Sequence, residues 1–85
     1  MFSLSATYRY YLYRGACDMR KGFDSLCGLV GEHFGQNLKT GEVYVFLNRR
    51  GDQLKLLHWE CGGLVLYHKR LEVGRFRLPA QLPDN

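Results

Sequence analysis

Seven basic residues, Arg49, Arg50, Lys55, Lys69, Arg70, Arg75 and Arg77, fall in a stretch that holds only three acidic ones, Asp52, Glu60 and Glu72. Guanidinium and ammonium groups on long stems grip phosphate oxygens, and arginine does so with two parallel hydrogen bonds. Arg49 and Arg50 stand beside Gly51 and Asp52 between two apolar runs, where a hairpin tip would hold them. A two-stranded ribbon is one of the shapes that the major groove of DNA admits. The pattern points to a nucleic-acid contact through Arg49, Arg50, Lys55, Lys69, Arg70 and Arg75. The plainer reading is a solvated turn in which Glu72 pairs with Arg75 or Lys69.

A second charged cluster, Asp18, Arg20, Lys21 and Asp24, precedes an apolar run. Arg20 and Lys21 could assist an anion at the start of a helix; alternatively, Asp18 caps the segment and pairs with one of the cations. Trp59, Tyr67, Phe46 and Phe76 offer rings on which bases could stack, although core packing accounts for such residues more often. Tyrosine gives large contact area with a polar end, so Tyr8 and Tyr10, with Trp59 and Tyr67, are the candidate partner-binding residues. A homodimer through the first strand would use that aromatic segment.

Cys17, Cys27 and Cys61 are odd in number and widely spaced, which argues against a disulfide framework and for a reducing, cytoplasmic setting. His58 and Cys61 lie three apart, but no two cysteines have the close spacing of a structural zinc site, so neither metal nor cofactor is expected. Asp18, Asp24, Asp52, Glu60 and Glu72 each have a local structural use, and no catalytic pair can be assembled from them. The chain reads as a non-enzyme. The opening Met1 to Thr7 lacks a basic region, and no apolar run approaches the roughly 20 residues of a membrane span.

At 85 residues, 46% of them hydrophobic and 14% aromatic, the chain reads as one globular domain over residues 1–85, with a core at about 8–78 and an irregular tail at 79–85. Tyr8 to Tyr13 is dense in aromatic residues and stops at Gly15, as a strand would. Phe23, Leu26, Cys27, Val30 and Phe34 recur at i, i+3, i+4, i+7 and i+11, which predicts a helix from about Gly22 to Phe34. Gly28 and Gly31 weaken that helix unless they mark its close approach to a sheet. Gly35 to Glu42 is turn chemistry. Val43 to Asn48, Gln53 to Trp59 and Leu64 to Arg70 then form a meander joined by Arg49-Arg50-Gly51-Asp52 and Cys61-Gly62-Gly63, and Leu71 to Leu78 could prolong its last strand.

The order β-α-β-β-β predicts an α+β fold: a small antiparallel sheet, the three-stranded meander plus the N-terminal strand, with one helix packed on a face. Alternation places Leu54, Leu56 and His58 on one face and Lys55, Leu57 and Trp59 on the other. In the next strand Leu64, Leu66 and His68 oppose Val65, Tyr67 and Lys69. Both faces carry apolar residues, so the face away from the helix needs a cover of its own.

Several blocks in this order resemble a known family. They are Asp18-Met19-Arg20-Lys21-Gly22-Phe23-Asp24 with Leu26; Gly41 and Val45-Phe46 leading to Asn48-Arg49-Arg50; Leu54-Lys55-Leu56-Leu57 with Trp59; and Tyr67, Lys69-Arg70-Leu71-Glu72 and Gly74-Arg75-Phe76. The chain is similar over roughly residues 8 to 78 to the small accessory protein, Orf2 or TnpB, of bacterial insertion sequences of family sixty-six. It departs from the pattern at Gly51, where many relatives carry another arginine, and at His58, where an aromatic is usual. The resemblance implies a non-catalytic accessory factor for transposition, the strand-transfer chemistry belonging to a separate transposase. Element DNA and that transposase are the implied partners, with Arg20 and Lys21 joining the basic set above. The alternative is a protein-interaction module that docks on the transposase without touching DNA.

Overall fold

The computed structural model describes residues 8–35 and 41–77. The expected irregular tail at 79–85 and the middle of the polar loop, residues 36–40, lie outside the described residues. Four strands, β1 (Arg9–Ala16), β2 (Glu42–Leu47), β3 (Gln53–Glu60) and β4 (Gly63–Arg70), form one sheet in the order β1-β2-β3-β4. A helix, α1 (Phe23–Leu29), runs on into a wider π-type turn over Val30–Phe34. The expected order of elements is present.

Its sheet is mixed, which corrects the antiparallel expectation. β1 runs parallel to β2, pairing Arg9 with Glu42 and Leu12 with Val45, while β2, β3 and β4 are antiparallel neighbours. Parallel neighbours need a crossover connection, and the helical segment between β1 and β2 supplies it. Reading β1 as an antiparallel partner overlooked that requirement.

β2 and β3 occupy the centre of the sheet, and their near-continuous apolar runs are buried on both faces. Beneath the helix, Tyr44, Phe46 and Leu57 pack with Leu26, Val30, Phe34 and Cys17. On the other face, Val43, Val45, Leu54 and Leu56 form a second cluster with Tyr8, Tyr10, Leu12, Leu47 and Phe76 around it. Phe76 reaches that cluster because the chain turns back after β4. Leu71 to Arg77 therefore does not prolong the strand as expected; Gly74, at φ +86°, lies in the return.

Three local expectations about the helix change as well. Phe23 counts toward its apolar stripe by spacing yet is 46% exposed, because it stands at the first helical position, ahead of the residues that meet the sheet. Gly28 and Gly31 face open space, with nothing within 4 Å of where a Cβ would stand, so they mark no close approach. Asp18 does not cap the helix; Gly22 occupies that position without a side-chain hydrogen bond. The tyrosines of β1 divide by alternation: Tyr11 stacks on Tyr44 under the helix, and Tyr13 lies against Phe46. Tyr8 meets Tyr10 edge-on above the opposite face.

Candidate functional site: a cationic end of the sheet

The strand directions decide where the basic residues gather. The C-terminal ends of β1, β2 and β4 and the start of β3 lie at the same end of the sheet, since Ala16 pairs with Leu47, Leu47 with Leu54, and Gln53 with Arg70. Segment 17–22 leaves β1 there, and Arg49 and Arg50 leave β2 there. Lys69 and Arg70 close β4 at that end. Arg20, Lys21, Arg49, Arg50, Lys69, Arg70 and Arg75 are all brought to this one end, arriving from four separate parts of the chain.

Asn48 builds the tip. Its Nδ2 donates to Asp52 Oδ1 at 2.7 Å, and its Oδ1 accepts the Gln53 N–H at 3.0 Å. Its backbone N–H donates to the Gln53 carbonyl and its own carbonyl accepts the Gly51 N–H, each at 3.1 Å. Gly51 closes the turn at φ +77°, a region that side chains with a Cβ enter only at a cost of about 1 kcal/mol or more. The aliphatic stem of Arg75 lies 3.6–3.7 Å from the position of a Gly51 Cβ.

Two backbone hydrogen bonds fix the returning segment to the tip. The Leu71 N–H donates to the Asp52 carbonyl at 2.8 Å, and the Phe76 N–H donates to the Gly51 carbonyl at 2.9 Å. Arg75 is thereby held beside Arg49 and Arg50. Asn48 and the 71–77 return are the structural features of this end that its charge pattern does not reveal. The signal for the first was an Asn at the mouth of a loop with Asp four residues on, a side-chain-to-backbone turn pattern.

Arg49, Arg50, Lys69, Arg70 and Arg75 are exposed, and none forms an ion pair with another described residue. Glu72 pairs with neither Arg75 nor Lys69 among the described residues. Asp52 is a counter-charge within the tip: Asn48's hydrogen bond, ahead of the charges of Arg50 and Arg70, holds its carboxyl below the usual carboxylate range.

Two members of the expected set stand apart. Lys55 is a correction: it is 6% exposed, and its Nζ donates to the Lys21 carbonyl at 2.7 Å, so it ties segment 17–22 to β3 rather than facing solvent. Strand alternation placed it on the helix face, where a buried amine needs an acceptor. Arg20 is exposed, but Asp18 grips it, with Nη2 to Oδ2 at 2.7 Å and Nε to both carboxyl oxygens at 3.1 Å. Those side-chain bonds and the Arg20 N–H at 2.9 Å hold the Asp18 carboxyl well below the usual range.

The four aromatic candidates do not make one surface. Trp59 points to the helix side and Tyr67 to the other, at 37% and 39% exposure, and Tyr8 and Tyr10 are half-buried, with Tyr8 against His58. Both β1 and β4 are edge strands. Burial raises the Cys17 thiol above its ordinary value despite the nearby Lys21 and Lys55, and all three cysteines are free. Among the described residues no three of His, Cys, Asp and Glu gather as a metal site would require, and no helix is long and apolar enough to cross a membrane.

The family described as "IS66 Orf2 like protein" matches residues 8–85. The chain belongs to that family. Among curated proteins it is 36% identical over 62 residues to the uncharacterized protein y4jC of Sinorhizobium fredii, covering 73% of this chain and 53% of that one. It is 39% identical over 72 residues to the uncharacterized protein y4hO of the same organism, covering 85% of this chain and 63% of that one. The chain thus spans between about half and two thirds of the length of these relatives. No solved structure matches it.

Proposed function

We propose that the IS66 Orf2-like chain is a non-catalytic accessory factor that holds element DNA through the cationic end of its sheet while the transposase acts. The observation that carries this reading is the set of arginines without ion-pair partners among the described residues, Arg49, Arg50, Arg70 and Arg75, on backbone fixed by Asn48 and by the 71–77 return. A fixed cluster of like charge costs electrostatic free energy in the free protein and regains it against a polyanion. Lys21 and Lys69 flank the cluster. Arg20, balanced by Asp18, contributes position more than charge.

Mobility-shift titration of the chain against element-end duplexes tests the reading. Binding at low salt that weakens steeply as salt rises is the expected result, because neutralised phosphates release counterions. No shift at low salt defeats it. Co-purification with the transposase that survives nuclease treatment would favour direct docking on that protein instead.

A further inference from the structure

Resting on that reading, we propose that the cationic end meets the phosphate backbone of duplex DNA without entering a groove, so that its binding is independent of base sequence. Width is the first argument. Neighbouring strands lie about 4.8 Å apart, so a two-stranded tip with its side chains fits a major groove about 12 Å wide. Here the tip has a third backbone alongside it, joined by the Leu71-to-Asp52 and Phe76-to-Gly51 hydrogen bonds, with the Arg75 stem across Gly51. With Phe76 packed on the face away from the helix, the return thickens the tip beyond the two-stranded ribbon that the groove admits.

The second argument is which donors and acceptors remain. Reading adenine takes both ends of a side-chain amide, and reading cytosine takes a carboxylate acceptor. Asn48 engages both ends of its amide inside the loop, and Asp52 accepts from Asn48 through Oδ1 while the charges of Arg50 and Arg70 act on the same carboxylate. Gln53 has its Oε1 3.0 Å from His68 Nε2. What faces outward is chiefly cationic, with Glu72 the exposed carboxylate of the return; guanidinium reads guanine only from inside the major groove and grips phosphate from outside it.

The test is fluorescence anisotropy of the full chain with an element-end duplex and a shuffled duplex of equal length and composition, at about 50 and 200 mM salt. The two affinities are expected to agree within about threefold, with a log–log salt slope of about −3 to −4 for four phosphate contacts. Arg75→Ala, an exposed change, should weaken both duplexes equally and make the slope shallower by about 0.9. A tenfold or greater preference for the element end overturns this inference and leaves DNA binding standing. Absence of binding to both duplexes at the lower salt overturns the proposed function and this inference together.

Discussion

The two hairpins of the sheet solve the same problem of chain reversal in opposite ways. At one end Cys61 and Gly62 alone link β3 to β4, with Glu60 paired to Gly63 and both loop residues at positive φ, +52° and +80°. That is the tight turn whose twist matches the strands it joins. Charge there is balanced locally: Arg9 Nη2 lies 3.5 Å from Glu42 Oε2, and Glu42 also accepts the Tyr44 hydroxyl at 3.2 Å. At the other end five residues join β2 to β3, a side chain braces the loop, a distant segment is hydrogen-bonded to it, and Arg49, Arg50, Arg70 and Arg75 have no ion-pair partner among the described residues. The contrast separates a loop built only to close from a loop built to hold charge in place. The extra hydrogen bonds at the second end restrain backbone that would otherwise relax its clustered cations apart.

Changing charge at each end gives the largest expected difference. Arg49→Ala combined with Arg50→Ala should lower DNA affinity by about a hundredfold at 50 mM salt and make the salt slope shallower by about 1.8, whereas Arg9→Ala at the balanced end should leave affinity within about twofold. Equal losses at the two ends would erase the functional distinction. Asn48→Ala tests the bracing itself. It leaves the Gln53 N–H without its side-chain acceptor and Asp52 without its donor, which should cost about 1–3 kcal/mol in urea unfolding. DNA affinity should drop with it, although no charge has been removed.

Acid should act on the balanced end through His58. This imidazole is 1% exposed, 3.5 Å from Glu60 across Nε2 and Oε1, and burial lowers its pKa from the ordinary 6.5 while Glu60 opposes the shift. Below pH 6.5 the unfolded chain binds the proton more readily than the folded one. The contribution is therefore full above pH 6.5 and lost as pH falls toward the lowered folded value. Denaturation midpoints of His58→Gln, compared with the parent chain from pH 7 downward, should show a flatter decline; parallel curves would remove His58 from the account.

Single-residue backbone changes should give the smallest effects and opposite signs. Cys61→Asn places a residue tolerant of the left-handed region in the tight turn and should raise stability by up to about 1 kcal/mol. Gly51→Ala should lower it by about the same amount, since the left-handed conformation there is needed and the Arg75 stem is already in contact. Gly28→Ala, in a helix position open to solvent, should add roughly 0.5–1 kcal/mol. Thermal melts of the three variants sort these expectations.

Much of the fold was legible because it is written in short-range periodicity. The alternation through Gln53 to Trp59 and Leu64 to Lys69 assigned each side chain to the face it occupies, and the spacing of Leu26, Val30 and Phe34 found the buried stripe of the helix. The same alternation held the warning about Lys55, since it shared a face with Leu57 beneath the helix. Charge was read there without regard to face. Phe23 shows the converse limit: spacing selects a stripe, but only the extent of the sheet decides how far the stripe is covered.

The sequence by itself determined the order of the elements, the two-sided apolar character of β2 and β3, the family, and a surplus of cations in the second half of the chain. Those properties depend on residues a few positions apart. Only the tertiary structure decided that β1 runs parallel to β2, that Lys55 turns inward to the Lys21 carbonyl, and that Arg75 folds back over Gly51 to stand beside Arg49 and Arg50. Each of these is fixed by contact between segments distant along the chain, and local spacing carries no record of such partners.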